Sequence, residues 1–197
     1  MILLPAILLA ISSAAEVPVS MFPSDAIERN NNYRDWYGPE LERLGEIPLW
    51  VDSRVAPGKQ TIRFTFIPGA TRIVGRNATV IRIEIEEGKG RLIARTEIYD
   101  HRKHSIREVA GKSLFPTEII KLQDLVGKAD PWKFPIGTWD EPDQLSIHCT
   151  ELLMERRQHS GYAVSHILIS CNQPNRLMPL VDYITELAGQ KRKDLRY

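Results

Sequence analysis

The sequence predicts an α+β fold: a single domain in which an antiparallel sheet of hairpin-connected strands carries helices packed on one face. Three observations lead there. Several short runs alternate apolar and polar residues with period 2, as strands between a dry and a wet surface do. Two later segments carry apolar stripes at helical spacing. The 197 residues show no internal repeat, no low-complexity stretch and no composition shift that would mark a second domain.

Taken in order, SDAIERNNNYRDWY places Ile27, Tyr33, Trp36 and Tyr37 at loosely helical spacing, and Gly38 interrupts it. Pro39 then suits the first turn of a short helix, PELERLG, ended by Gly45. In TIRFTFI, Ile62, Phe64 and Phe66 alternate with Thr61, Arg63 and Thr65. In ATVIRIEIE, Ile81, Ile83 and Ile85 alternate with Arg82, Glu84 and Glu86, and EGKG turns the chain into a third strand, GRLIARTEIY. SIREVAGKSL reads as a fourth. A helix fits PTEIIKLQDLVG, with Pro116 at its start and Gly127 after its end. Three prolines (Pro131, Pro135, Pro142) within residues 129–144 then predict an irregular loop. Two strands, LSIHCTELLMERRQ and GYAVSHILIS, precede a closing helix, PLVDYITELAG, capped by Gly189. Residues 16–60 form a helical and irregular N-terminal segment, 61–189 the α+β core of the same domain, and 190–197 a basic, solvated tail.

The first fifteen residues, MILLPAILLAISSAA, hold no charge. An apolar run from Ile2 to Ile11 followed by Ser13, Ala14 and Ala15 has the form of a secretory signal peptide, with cleavage before Glu16. The run falls short of the roughly 20 apolar residues of a spanning helix. A secreted or periplasmic protein with no transmembrane segment after cleavage is expected. Cleavage leaves 182 residues (197 minus 15), enough to bury about 70% of the unfolded surface without a metal. With 26 basic and 25 acidic residues, the net charge of +1 gives no basic face for nucleic acid.

Cys149 and Cys171 are the only cysteines and flank the last two strands. A three-residue loop of His159, Ser160 and Gly161 would make paired positions sum to 320, setting Cys149 opposite Cys171 and Leu153 opposite Ile167. In an exported chain that arrangement predicts a disulfide, closing a loop worth about 3 kcal/mol. The bridge would also remove any cysteine nucleophile.

No metal site and no cofactor are expected. In that register His148 and His166 share a face but lie about 20 Å apart, and His101 and His104 lack a third ligand at a recognisable spacing. No nucleophile elbow, zinc-protease helix, phosphate loop or dinucleotide fingerprint is present, so no catalytic residue is assigned. Glu84, Glu86, Glu151 and Glu155 occupy strand positions that a solvated face explains without chemistry.

The remaining candidate surface is aromatic. Trp132, Phe134 and Trp139 lie in the proline-rich loop, and Tyr33, Trp36, Tyr37 and Trp50 lie near the N-terminus. Such side chains either seal a sheet or offer contact area to a partner at low entropy cost. The polar neighbours Asp140 and Glu141 favour exposure for Trp139, whereas Trp36 and Trp132 suit sealing.

RFTFIPGATRIVGRNATVIRIEI, then a helix, ADPWKFP, two strands and a C-terminal helix resemble an uncharacterised family of secreted bacterial α+β proteins, over roughly residues 60–188. The resemblance implies a bacterial envelope or extracellular setting and a single α+β domain, and it brings no activity. The expected function is an exported, non-catalytic binding module for a protein or envelope component. The alternative is a hydrolase acting on cell-wall or extracellular polymer.

Overall fold

A computed structural model describes residues 19–51, 56–68, 77–100, 103–134, 149–169 and 175–190. Its centre is a six-stranded antiparallel sheet of β1 (Lys59–Pro68), β2 (Thr79–Glu86), β3 (Lys89–Asp100), β4 (Lys103–Leu114), β5 (Thr150–Gln158) and β6 (Gly161–Leu168), ordered β4-β3-β2-β1-β5-β6. The helices are α1 (Ser24–Arg29), α2 (Gly38–Arg43), α3 (Pro116–Ala129) and α4 (Met178–Leu187). This is the expected α+β class, with α3 and α4 packed on one face.

That face forms the main core. Ile62, Phe64 and Phe66 of β1, Ile81 and Ile83 of β2, and Leu152 and Met154 of β5 meet Ile119 and Leu122 of α3 and Leu180, Val181 and Ile184 of α4. Each such side chain, once buried, contributes about 1.5–3 kcal/mol. The α3 stripe starts where Pro116 takes the first helical position and the Glu118 carboxylate accepts the Phe115 N–H at 2.8 Å. Gly127 does not end the helix. The chain turns instead at Asp130, left-handed at φ 43°, and then makes a 3₁₀ turn over Pro131–Lys133.

The opposite face departs from the wet surface that the alternation suggests. Arg63 and Thr65 are wholly buried, and the last seven residues of β1 are buried on both sides. The cover is the N-terminal segment: Met21, Phe22, Ala26, Tyr33, Tyr37 and Leu41 pack on Ile67 of β1 and Leu153 of β5. Gly38 does not interrupt this segment. Tyr33–Tyr37 form a π-helical turn that runs directly into α2. A Cβ on Gly38 would lie 3.1 Å from the Tyr33 carbonyl, so only glycine fits this wide turn without displacement.

Two hairpins show what turn chemistry decides. β2 and β3 are joined through Glu87 and Gly88, both at positive φ (49° and 76°), the geometry of a two-residue turn that follows strand twist. β5 and β6 also have a two-residue turn, His159-Ser160, and not the expected three-residue loop: Gln158 pairs with Gly161, and Leu153 faces His166 where Ile167 was anticipated. Gly161, at φ 134°, is the first residue of β6 and leaves no third loop position. The Gln158 amide, bonded to the Ser160 hydroxyl at 2.6 Å, holds the tighter turn. Paired positions therefore sum to 319. The last pair of the ladder is Glu151 with Leu168, and beyond it the Ile169 N–H bonds the Thr150 carbonyl. Cys149 is buried, and Cys171 lies outside the described residues.

Candidate functional site

The predicted aromatic platform is divided by the structure. Trp132 and Phe134 are half-buried and pack against the main core, so both act in sealing; Trp139 lies outside the described residues. The 3₁₀ turn that carries Trp132 is pinned to β6, where the Ser165 hydroxyl donates to the Pro131 carbonyl at 2.8 Å. Each ring is also a floor for a cation. The Arg156 guanidinium, from β5, stands 4.7 Å from the Trp132 ring centre, and that of Arg176, just before α4, stands 4.3 Å from Phe134. Both distances are within the range of a cation–π contact. The Arg156 Nε and the Trp132 Nε1 are buried with no hydrogen-bond partner. Desolvation lowers the pKa of Arg156, a trend that the field of Asp130 opposes. Asp130 is itself bridged to Lys133 at 2.6 Å.

On the other face lies a buried polar network. Arg63 grips Glu155, its direct partner across β1 and β5, through Nε at 2.7 Å and a terminal nitrogen at 2.8 Å. A second terminal nitrogen reaches Glu46 at 3.2 Å and the Ile47 carbonyl at 2.8 Å. Glu46 also takes Arg82 at 2.7 Å and Arg95 at 3.5 Å, so one carboxylate ties the segment after α2 to three strands. Burial pulls the Arg63 pKa down, but the carboxylates of Glu155 and Glu46 outweigh it and the guanidinium stays charged. The Tyr162 hydroxyl donates to Glu155 at 2.8 Å.

Beside it, Tyr33 and His166 share a hydrogen bond of 3.2 Å, and Tyr37 donates to Glu151 in a very short one. Burial lowers the His166 pKa to about 4, which makes the imidazole neutral at ordinary pH. Burial raises that of Glu151, against the pull of the Tyr37 bond. Glu151 and Glu155 are thus interior groups, contrary to the solvated face expected for them; Glu84 is half-exposed and Glu86 exposed, as a wet strand edge would have them. A carboxyl with a raised pKa next to a histidine has the ingredients of acid–base catalysis. Here both groups are satisfied by tyrosines within a packed layer of rings: Phe22 and Tyr33 meet at 4.8 Å, Tyr33 and Tyr37 at 5.3 Å, Tyr37 and His166 at 5.4 Å. Neither group lines the cleft beside α1, and the packed rings account for both as interior hydrogen-bonded partners.

A cleft of about 440 Å³ runs between α1 and the start of β6, lined by Asp25, Arg29, Trp50, Tyr162, Ala163 and Val164. Trp50 was a candidate from sequence, and its indole N–H is used on the Ser20 carbonyl at 2.8 Å. Tyr33 and Tyr37 are interior; Trp36 keeps 37% exposure. The sequence reading missed Arg156 and Arg176. Nothing in a linear chain marks two arginines, 22 and 42 residues beyond Phe134, as neighbours of one turn, although ADPWKFP did mark the rings (156 − 134 and 176 − 134).

Among the described residues, no group of three His, Cys, Asp or Glu side chains could hold a metal ion. The side chains of His101, His104 and His148 lie outside those described. No helix among the described residues is long and apolar enough to cross a membrane. No family model matches this chain, and neither the curated proteins nor the solved structures contain a match.

Proposed function

We propose that the chain is an exported, non-catalytic binding module whose partner is a protein or an envelope component, engaged at the aromatic turn around Trp132 and Phe134 with Trp139 beyond it. The observation that carries this reading is the contrast between the two sets of polar groups. On the N-terminal side the buried ionisable residues are paired with one another or with tyrosines. At the turn, two arginines sit on aromatic rings with no acid among the described residues in an ion pair with them.

Export rests on the form of residues 1–15, which lie outside those described, and on the resemblance to secreted bacterial α+β proteins. The Cys149–Cys171 bridge belongs to the same reading. Cys149 is buried next to the start of β5, and Cys171 follows the end of β6 by three residues.

The test is capture of an envelope fraction from the native host on immobilised mature protein, comparing wild type with Trp139→Ala and Phe134→Ala. Both variants should bind roughly thirtyfold more weakly, the effect of losing about 2 kcal/mol at an aromatic hot spot, and Trp139→Ala should keep its melting temperature. Equal capture by variants and wild type would refute the surface. Release of soluble fragments from wall polymer by wild type would favour the hydrolase.

A further inference from the structure

We propose that Arg156 and Arg176, each laid over a ring of the Trp132–Phe134 turn, form a two-pronged site for an oxyanion, a carboxylate or phosphate group carried by the partner. The inference rests on the binding-module reading and names the chemistry that the surface recognises.

Four observations support it. The two guanidiniums stand on rings that belong to one turn, two residues apart in sequence and packed on the same core. Stacking occupies one flat side of a guanidinium and leaves its in-plane N–H donors aimed outward, the geometry that takes a carboxylate or phosphate in bidentate fashion. Neither arginine has a hydrogen bond or an ion pair with another described residue, whereas Arg29, Arg34, Arg43, Arg63, Arg82 and Arg95 all engage described carboxylates. Asp130, the acid nearest in effect to Arg156, is committed to Lys133. Among the described residues the patch therefore carries three cations, Arg156, Arg176 and Lys133, against the Asp130 carboxylate.

The Arg156 Nε is out of water and without an acceptor, as is the indole Nε1 of the ring beneath it. Two orphaned donors side by side are costly in a folded protein. A small rotation of the guanidinium toward an incoming oxyanion would satisfy Nε and the terminal nitrogens together. The rings supply a rigid floor that limits the ordering cost of that motion. Nothing on the opposite, N-terminal face has this property, because every buried guanidinium there already has its carboxylate.

The experiment is a titration of ¹⁵N-labelled protein with inorganic phosphate and, separately, with an acidic hexaglutamate peptide. The readouts are the Arg156 Nε–H and Trp132 Nε1–H resonances, with ionic strength matched by chloride. Saturable shifts in both signals are expected with at least one probe; saturation by the peptide alone assigns a carboxylate ligand, and saturation by phosphate assigns a phosphate. Arg156→Gln and Arg176→Gln should each weaken binding about tenfold or more. Arg176 is exposed, so its variant folds whatever happens at Arg156. Arg156→Lys, which keeps the charge but not the fork, should not restore affinity. Shifts no larger than those from chloride, with both probes, would overturn the site. In that event, loss of envelope capture by Trp139→Ala would still uphold the binding module, so the two ideas fail separately.

Discussion

Arg63 and Glu155 face each other across β1 and β5 as direct register partners, and neither side chain is exposed to water. Truncating one of the two leaves the other charge buried and uncompensated. Glu155→Ala should therefore lower stability by about 3–5 kcal/mol, read from the urea midpoint. Replacing both, Arg63→Met with Glu155→Leu, should recover most of that loss, because a well-packed apolar pair avoids the desolvation of two ions. Arg63→Lys should not recover it, since one ammonium cannot reproduce the two-point grip. Loss in the double variant equal to that in Glu155→Ala would show that Glu46, and not Glu155, is the essential partner.

His166 makes stability depend on pH. Its folded pKa of about 4 lies below the ordinary 6.5, so between those values the unfolded chain binds more protons than the native one. Stability should rise with pH across that window and fall as the solution is acidified, by up to about 3 kcal/mol from this group. Glu151, with its raised pKa, acts in the opposite sense: the native state holds its proton longer, so its contribution diminishes as pH rises. His166→Phe should flatten the stability profile between pH 4 and 6.5, measured by denaturant unfolding at several pH values. An unchanged slope would mean that the imidazole titrates freely.

Two glycines should respond oppositely to alanine. Gly127 lies inside α3 with open space where a Cβ would go, so Gly127→Ala should stabilise by about 0.5–1 kcal/mol through helix propensity. A Cβ on Gly90 would meet Ile119 at 2.9 Å and the Leu114 Cβ at 3.0 Å, at the contact between β3 and α3. Gly90→Ala should cost about 1–3 kcal/mol by overpacking. Calorimetric melting temperatures separate the two.

Non-reducing mass spectrometry of exported protein should join the peptides containing Cys149 and Cys171. Cys149→Ala should then lower stability by about 2–5 kcal/mol. Two thiols alkylated without prior reduction would dismiss the bridge.

Much of the sheet was legible. β1, β2 and, more weakly, β3 follow from period-2 alternation, the β2–β3 hairpin from EGKG, and α3 and α4 from their stripes. The hidden face was not, for a physical reason: an arginine in a strand reads alike whether its other face meets water or a facing glutamate. Arg63 and Glu155 are 92 residues apart, and only the β1–β5 pairing, invisible to local pattern, makes them partners. Gly127 misled because a helix tolerates a glycine, whereas the actual stop, Asp130, relies on a left-handed conformation that aspartate adopts less often. The last register slipped by one because QHSG suits loops of two or three residues equally well. At the candidate site the rings were legible and the arginines were not.

The N-terminal cover also sets the order in which the molecule can assemble. Tyr33 awaits His166, 133 residues downstream, and Arg63 awaits Glu155. As the chain emerges from the ribosome, residues 20–50 and β1 are made first, yet their partners are nearly the last to appear. Until the final hairpin is available, Arg63 has no carboxylate opposite it in the sheet, and Tyr33, Tyr37 and Phe22 have no complete surface to close upon. Contacts of such long sequence separation form slowly. The final hairpin is therefore the piece on which closure of the N-terminal cover depends.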